Sequence, residues 1–453
     1  MSDAAPLTRE ALVGALSKGI KPKDQWRIGT EHEKFGFDKG TLRRPAYDGP
    51  AGIRAMLDGL QRFGWSPVEE AGHVIALERK NAEGFTASIS LEPGGQFELS
   101  GAPLKDIHDI CSETGQHLVE VKMVADELGL GFLGSGFDPL WSREDVPIMP
   151  KGRYDIMRAY MPKRGELGLD MMLRTCTIQA NLDFDSEADM VMKFRTSLAL
   201  QPVATALFAN SPFTEGRPNG FLTARANVWT DTDPDRTGML DFVFADGFGF
   251  ETYVDYALDV PMYFAKRGER YVDLSGQSFR AFADGKLDAL PGDRATEKDW
   301  ADHLTTLFPE VRLKQYLEMR GADGGPWSRI CALPALWAGI FYDAPSLAAA
   351  WDLCKDWQIE DHERLRREVT RLGLRAEIGG RPLRDVAVDM VAIARQGLKN
   401  RARFSGGMVD ERGYLSELED TADSGITPAE RLLDLYHGPW GGDVRRLYSD
   451  YAY

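Results

Sequence analysis

The run Gly-Thr-Glu-His-Glu-Lys-Phe at residues 29–35 alternates between side chains of different character, which predicts a strand. Side chains of an extended strand point to opposite faces in turn, so Glu31 and Glu33 lie side by side on one face. Two neighbouring carboxylates repel each other, which favours either a retained proton or a bound divalent cation. For an isolated pair of this kind, a solvated acidic edge strand is the alternative interpretation.

Residues 88–100 predict a hairpin, because Pro93-Gly94-Gly95 forms a turn between two alternating runs. Its polar side carries serines together with Glu92 and Glu98, and its apolar side carries leucines and a phenylalanine. The hairpin would bring the two glutamates together, with an ordinary solvated hairpin face as the alternative.

Two later segments also predict strands with one polar face. Residues 173–184 carry short hydrogen-bonding groups on that face, which suit the orientation of a ligand: Thr175, Thr177, Gln179, Asn181 and Asp183. Residues 311–321 carry larger polar groups there: Arg312, Lys314, Tyr316, Glu318 and Arg320. The neighbours Glu318 and Arg320 are either a surface ion pair or a metal ligand beside an arginine that grips phosphate.

Together these segments predict an antiparallel sheet with one apolar face and one concave polar face, within an α+β fold. After Arg329 the apolar residues recur with helical spacing. We therefore expect one catalytic domain over residues 1–453, with an α+β body at 1–329 and a mostly helical part at 330–453 packed on it. Loops rich in Gly, Pro and Asp are candidate walls of the site: 134–153, 210–220, 231–239 and 321–326.

Composition narrows the possible chemistry. The 453 residues carry a net charge of −16, which argues against an extended nucleic-acid surface. The chain has no GxxxxGK[ST] loop, kinase motif set, GxSxG elbow or HExxH motif, and only seven histidines. A site rich in carboxylates and poor in histidine favours Mg²⁺ or Mn²⁺ acting on phosphates. Nucleotide-driven ligation and metal-dependent phosphate hydrolysis both remain open at this point.

The cysteines and the hydropathy pattern bear on location. The four cysteines are far apart along the chain and lack CxxC spacing, so we expect small core residues in a reducing compartment and no zinc site: Cys111, Cys176, Cys331 and Cys354. No apolar stretch of about 18 residues occurs, so no membrane association is expected. The first twenty residues predict an amphipathic helix capped by Thr8 rather than a targeting segment, which favours a cytoplasmic protein.

Several of these motifs resemble those of glutamate–cysteine ligases of the plant and proteobacterial type, a family with a fold related to glutamine synthetase. The resemblance covers nearly the whole chain. It rests on the segments GTEHEKFGF at 29–37, LEPGGQFELS at 91–100, MLRTCTIQANLDF at 172–184, NSPFTEG at 210–216, WTDTDPDRTG at 229–238 and YLEMRGADGGPW at 316–327. It implies a glutamine-synthetase-like antiparallel sheet that forms a concave funnel surrounded by helices.

The resemblance also implies an activity: ATP-dependent joining of the γ-carboxyl of L-glutamate to the amine of L-cysteine through γ-glutamyl phosphate, the first step of glutathione biosynthesis. By this resemblance two to three Mg²⁺ ions would be held by five glutamates: Glu31, Glu33, Glu92, Glu98 and Glu318. Arg320 would stabilise the transferring phosphoryl group. The expected substrate-binding residues are Thr177, Gln179, Asn181, Arg225 and Arg236. The expected small-molecule partners are the two amino acids and ATP.

The resemblance is incomplete at one point. Plant members carry a cysteine pair at positions that align with Leu274 and Ala289 here. We therefore expect their redox-switch disulfide to be absent, and a monomer or weak homodimer. Three alternatives to this function remain: a γ-glutamyl ligase for another amine, a metal-dependent phosphohydrolase, and a non-catalytic binding protein.

Overall fold

The computed structural model describes residues 7–406 and 409–453. Its helices are α1 Arg9–Ser17, α2 Ile53–Leu60, α3 Ile107–Leu128, α4 Gly152–Tyr160, α5 Gly168–Arg174, α6 Glu187–Leu207, α7 Ala224–Val228, α8 Phe250–Asp259, α9 Phe279–Ala283, α10 Glu297–Leu304, α11 Trp327–Phe341, α12 Ala344–Cys354, α13 Ile359–Leu372, α14 Leu383–Arg401, α15 Ser416–Ser424, α16 Pro428–His437 and α17 Arg446–Asp450.

Its strands are β1 Ile28–Asp38, β2 Ser66–Glu70, β3 His73–Lys80, β4 Thr86–Leu91, β5 Phe97–Ser100, β6 Leu130–Leu133, β7 Thr177–Leu182, β8 Phe213–Thr214, β9 Arg217–Pro218, β10 Thr237–Gly238, β11 Phe264–Arg267, β12 Arg270–Asp273, β13 Phe308–Pro309, β14 Val311–Leu313, β15 Leu317–Asp323, β16 Glu377–Ile378 and β17 Arg381–Pro382.

One nine-stranded sheet organises the molecule. Its strands run in the order β14-β15-β7-β1-β5-β4-β3-β2, and β6 pairs with the far end of β1. Each neighbouring pair is antiparallel. The long central strand β1 places Glu31 opposite Gln179 of β7 and Glu33 opposite Glu98 of β5. The predicted α+β fold with an antiparallel sheet is confirmed.

Helices cover the apolar face of this sheet. Helix α6 packs against β15, and α11 packs against β7, α3 and α14. Every residue of α11 from Ile330 to Phe341 is buried, which agrees with the uniformly apolar sequence of this range. Beyond β15 the regular elements of the described chain are helices, apart from the two-residue strands β16 and β17, so the predicted helical C-terminal part is also confirmed.

Two predicted strands differ in extent from the structure. Residues 173–175 do not belong to β7, because Leu173 and Arg174 end helix α5 and the strand begins at Thr177. The predicted strand 311–321 is a hairpin: β14 turns back into β15 and pairs Arg312 with Glu318. Alternation puts both residues on one face whether the chain continues or turns, so the pattern alone could not distinguish these two arrangements.

All four cysteines are buried, as the sequence predicted. The expectation of core residues in a reducing compartment did not include a pairing, but Cys111 of α3 and Cys331 of α11 form a disulfide, with Cα atoms 5.6 Å apart. Their separation of 220 residues concealed this proximity, which the packing of α3 against α11 creates. Cys176 and Cys354 are free thiols.

The predicted N-terminal helix is α1, and the Thr8 hydroxyl accepts a hydrogen bond from the Ala11 amide as its cap. Residues 1–6, on which part of the targeting argument rested, lie outside the described residues. In the described ranges no single helix is long and apolar enough to cross a membrane; the bent pair α11 and α12, with 95° between them, passes that test jointly.

Candidate functional site

A cavity of about 200 Å³ opens on the polar face of the sheet. Four of the predicted acidic residues line it: Glu31, Glu33, Glu92 and Glu98. Four arginines line it as well: Arg153, Arg225, Arg312 and Arg320. The remaining wall includes aromatic and thioether side chains, namely Tyr154, Met157, Met171, Met172, Trp229, Phe264 and Phe308. One pocket thus combines acids, fixed cations and an apolar wall.

The glutamates fall into two overlapping groups. Burial is the main cause that raises the pKa of Glu31 to about 7, and repulsion from Glu318 and Glu98 adds to it. Burial also raises the pKa of Glu33 well above its usual value, with repulsion from Glu92 and Glu98. Glu98 belongs to both groups, and burial and Glu92 raise its pKa despite hydrogen bonds from the Ser90 and Ser100 hydroxyls.

Glu318 differs from the other acids because cations surround it. The Arg312 guanidinium donates to both of its carboxylate oxygens, at 2.5 and 3.0 Å, and Arg320 Nη1 donates at 3.0 Å. Burial alone would raise the pKa of Glu318, but Arg312, Lys314 and Arg320 together hold it well below the usual value. Glu318 is therefore a buried anion whose charge is already balanced.

The polar side chains of β7 contact the charged residues directly. Gln179 Oε1 accepts a hydrogen bond from Arg320 at 2.6 Å, and Asn181 Nδ2 donates to Glu31 at 2.8 Å. The Thr177 amide donates to Glu33 at 3.0 Å, while its hydroxyl donates to the Ala322 carbonyl of β15 at 2.8 Å. Thr177 and Gln179 line the cavity, whereas Asn181 reaches it only through Glu31.

A β-bulge aims Arg320 into the cavity. The pairing of β15 with β7 shifts register between Met319 and Ala322. A bulge turns a side chain relative to the regular pleat and is common beside active sites. Gly321 occupies the bulge, and a Cβ there would collide with the Gln201 amide of α6. The Arg320 carbonyl accepts a hydrogen bond from Arg225 Nη2 at 2.7 Å, so the bulge also holds a second arginine.

Arg236 does not reach the cavity, contrary to the prediction that it binds substrate. Its fully buried guanidinium donates to Asp233 at 2.7 Å and to the Thr306 and Pro261 carbonyls, and it stacks on Tyr263 at 3.8 Å. These contacts use the guanidinium within the protein. The sequence marked Arg236 only by its position in the loop motif at 229–238, which does not specify where the side chain points.

The turn of the hairpin is held from outside the sheet. Lys151 Nζ and the Tyr154 hydroxyl both donate to the Leu91 carbonyl, at 2.7 and 2.5 Å, next to Glu92. Burial lowers the pKa of Lys151 to about 8. The sequence analysis did not single out these residues or Arg153, although the loop 134–153 was predicted as a cavity wall and α4 begins at its end.

The donor set fits a hard divalent cation. Glu31 and Glu33 are half-buried carboxylates, and among the described residues no arginine forms an ion pair with either of them. Oxygen ligands of this kind suit Mg²⁺. Within the described ranges, however, no three His, Cys, Asp or Glu side chains lie close enough to hold a metal ion as they stand. The carboxylates would have to close on the ion, as long glutamate side chains permit.

A larger cavity, of about 390 Å³, lies between α3 and the C-terminal residues. Its charged lining residues are Lys39, Lys122, Asp126 and Arg445, and none of the predicted site residues lines it. Although this cavity is larger, the cavity at the sheet is the better candidate for the functional site, because acids and arginines converge there.

Comparison with known proteins shows the family to which this chain belongs. The model of the glutamate-cysteine ligase family 2 (GCS2) matches residues 27–450. The chain is 57% identical over 451 residues to a protein of Nicotiana tabacum named glutamate–cysteine ligase, chloroplastic, covering 99% of this chain and 84% of that one. It is 58% identical over 449 residues to the Arabidopsis thaliana protein of the same name, covering 99% and 83%.

A solved structure shares the fold at low identity. The glutamate–cysteine ligase of Francisella tularensis in complex with AMP superposes with a TM-score of 0.57 and 13% identity, over 94% of this chain and 89% of that one. At that identity the match speaks for the fold. The prediction of a cytoplasmic protein is wrong by this comparison, because relatives that are 56–58% identical are named chloroplastic. That prediction rested on the first twenty residues and on the cysteine spacing, and neither feature identifies a compartment.

Proposed function

We propose how the residues of this chain, which belongs to glutamate–cysteine ligase family 2, carry out the reaction of that family. The enzyme forms γ-glutamylcysteine from glutamate and cysteine at the expense of ATP, the first step of glutathione biosynthesis. The observation that carries the proposal is one cavity lined by four glutamates and four arginines, with Glu318 directly behind it.

Glu31, Glu33, Glu92, Glu98 and Glu318 are the proposed Mg²⁺ ligands, and two ions would fit the two overlapping groups that share Glu98. Glu318 would have to exchange an arginine contact for the ion, because Arg312 and Arg320 already donate to its two oxygens. The raised pKa values of Glu31 and Glu33 support this, since a bound cation relieves the repulsion between neighbouring carboxylates. Mg²⁺ held there would offset the negative charge of the ATP phosphates. Manganese, with the same preference for oxygen, is the proposed substitute.

Arg320 is the proposed catalytic residue for phosphoryl transfer. Its guanidinium is fixed by Gln179 and Glu318, so positive charge faces the cavity without having to reorganise during reaction. Gln179 and Asn181 hold Arg320 and Glu31 in place, and Thr177 ties β7 to β15. Phosphoryl transfer depends mainly on such positioning and charge neutralisation.

Arg225 and Arg153 are the proposed grips for an anionic substrate group, either a glutamate carboxylate or a phosphate. Both line the cavity, and Arg225 is almost fully buried. A guanidinium binds planar carboxylates and phosphates through paired hydrogen bonds. The apolar wall of Met157, Met171, Met172 and Phe264 would exclude water from a reactive acyl phosphate.

The test measures ADP release by the whole chain with Mg²⁺, ATP and glutamate, with and without cysteine, against a panel of other amines. We expect turnover that depends on both amino acids and prefers cysteine. ATP turnover independent of both amino acids would instead identify a phosphohydrolase.

The arginine roles are tested separately with Arg320→Lys and Arg236→Lys. Arg320→Lys keeps the charge but loses the paired donors, so we expect kcat to fall about 10²-fold. Arg236→Lys is the matched control, since Arg236 contacts only protein groups and should affect stability but not kcat. Equal losses of kcat in both variants would refute the assignment of Arg320.

A further inference from the structure

Asp323, the last residue of β15, is a buried carboxylate that the proposed chemistry does not use. It is 1% exposed and does not line the catalytic cavity. No Lys, Arg or His nitrogen forms an ion pair with it among the residues described. A buried carboxylate is costly unless its oxygens accept hydrogen bonds, so the identity of its donors indicates what it is for.

Three donors meet at this carboxylate, and all come from the segment that leads into α7. Oδ2 accepts from the Asn210 amide at 2.8 Å and from the Ser211 hydroxyl at 2.7 Å. Oδ1 accepts from the Thr223 hydroxyl at 2.8 Å. Gly136 closes over the group, because a Cβ at that position would collide with the carboxyl.

The Ser211 and Thr223 hydroxyls also accept hydrogen bonds from backbone amides at the start of α7. The Thr223 hydroxyl accepts from the Ala226 amide at 3.1 Å as the N-cap of the helix. The Ser211 hydroxyl accepts from the Arg225 amide at 3.2 Å. Because each hydroxyl has a single proton and gives it to Asp323, its lone pairs are left for these amides. The carboxylate therefore sets the direction of both hydrogen bonds.

Helix α7 is only five residues long and carries Arg225 into the cavity. A helix this short is not stable through its own hydrogen bonds, so its place depends on what holds its ends. The other end of the link is β15, where the Arg320 carbonyl accepts from Arg225 at 2.7 Å. Asp323 and Arg320 thus fix the backbone and the side chain of Arg225 to one strand.

We infer that Asp323 is a positioning residue that places Arg225 for an anionic substrate by orienting the Ser211 and Thr223 hydroxyls under the start of α7. This inference rests on the proposed role of Arg225. It explains why a carboxylate and not an amide occupies this position, because an amide would present a donor to at least one of the three groups that need an acceptor.

The test compares Asp323→Asn with Asp183→Asn in the full chain. Asp183 is the control, because it is also a buried carboxylate of this sheet region but makes no contact with α7. It accepts from the Arg27 amide at 2.7 Å and, unlike Asp323, pairs with Lys21 at 2.9 Å. We expect both variants to lose stability. Only Asp323→Asn should raise KM for one anionic substrate, about 10-fold or more, with KM for cysteine unchanged.

A double-mutant cycle with Arg225→Gln separates positioning from general destabilisation. If Asp323 acts through Arg225, Asp323→Asn should weaken binding of the same substrate that Arg225→Gln weakens, and should add little in the Arg225→Gln background. Calorimetric binding of glutamate and of an ATP analogue gives this readout even where turnover is lost. Effects that add in full, or that fall on a different substrate, overturn the inference.

Two milder variants test the same inference if Asp323→Asn does not fold. Thr223→Val and Ser211→Ala each remove one hydroxyl from the link and should raise the same KM by a smaller factor. Unchanged KM in both overturns the inference while leaving the ligase activity intact. If Arg225→Gln itself leaves the binding of both anionic substrates unchanged, the proposed role of Arg225 fails as well, so the two failures are distinguishable.

Discussion

The two faces of β1 bury polar groups in opposite ways. On the cavity face, Glu31 and Glu33 are half-buried acids, and desolvation raises the pKa of both. On the other face, His32 and Lys34 are buried bases packed towards α3, and burial lowers the pKa of His32 well below its usual value and that of Lys34 to about 7. Desolvation favours the neutral form of each group, whatever the sign of its charge.

The two faces of β1 differ in whether a ligand can reach these groups and stabilise their charged form. The acids line a cavity that an ion can enter, so a cation can stabilise their charged form. The bases face packed protein: Lys34 Nζ donates to the Phe97 carbonyl at 3.1 Å, and the His32 ring meets the His117 ring edge-on at 5.5 Å. None of the four nitrogens of these two rings has a hydrogen-bond partner among the described residues. One face is built for a charged ligand and the other for neutral packing.

The sharpest test of this comparison is Glu33→Gln. The amide keeps the shape of the side chain but removes the charge, so we expect kcat to fall about 10²–10³-fold with little change in stability. ADP release and urea unfolding measure the two effects. The control is Glu120→Gln on α3, since Glu120 is a buried acid bonded to Arg79 and Trp65 away from the cavity; it should lower stability and spare kcat. A loss of kcat in Glu120→Gln with kcat unchanged in Glu33→Gln would contradict the role proposed for Glu33.

Addition of Mg²⁺ should stabilise the protein through the cavity face alone. At one hundred times its dissociation constant, a bound ion adds about 2.7 kcal/mol to the free energy of unfolding, which thermal unfolding detects. The same ionic strength of NaCl serves as the control. Glu33→Gln should reduce the shift; a shift that is unchanged in this variant would mean that the ion binds elsewhere.

The face of β1 that is turned away from the cavity, called the far face below, can be probed by pH through Glu113 of α3. Its carboxylate accepts a hydrogen bond from the Ala102 amide, and burial raises its pKa from 4.5 to about 7. The folded state holds this proton more tightly than the unfolded state, so the stability it gives is present below pH 4.5 and is lost as pH rises to about 7. Glu113→Gln should therefore stabilise the protein by about 1–3 kcal/mol at pH 8 and by much less at pH 5. A gain that is equal at both pH values, measured by urea unfolding, would contradict this.

The smallest effect is expected for His117→Phe. The ring nitrogens of His117 have no described partner, so an apolar ring forfeits no hydrogen bond and avoids the cost of burying polar atoms. We expect the free energy of unfolding to stay within about 1 kcal/mol, with kcat and KM unchanged. A large loss of activity would show that the far face takes part in catalysis and would end the comparison.

Local pattern was enough for much of the site. Alternation placed Glu31 with Glu33, and the Pro-Gly-Gly turn brought Glu92 to the same side as Glu98, because a strand has a period of two and a tight turn fixes its partner. The same rule put Arg312 on the face of Glu318 even though the predicted strand is in fact a hairpin. Membership of a face is a local property, so it survives an error in topology.

Only the tertiary structure decided contacts between distant segments. The Cys111–Cys331 disulfide, the burial of Arg236 on Tyr263 and the arrival of Arg153 in the cavity depend on how helices and loops pack, which no local period records. Asp323 is the clearest case. Its sequence neighbours gave no sign that three donors from residues 210–223 would meet there, because those partners are specified by folding and not by spacing along the chain.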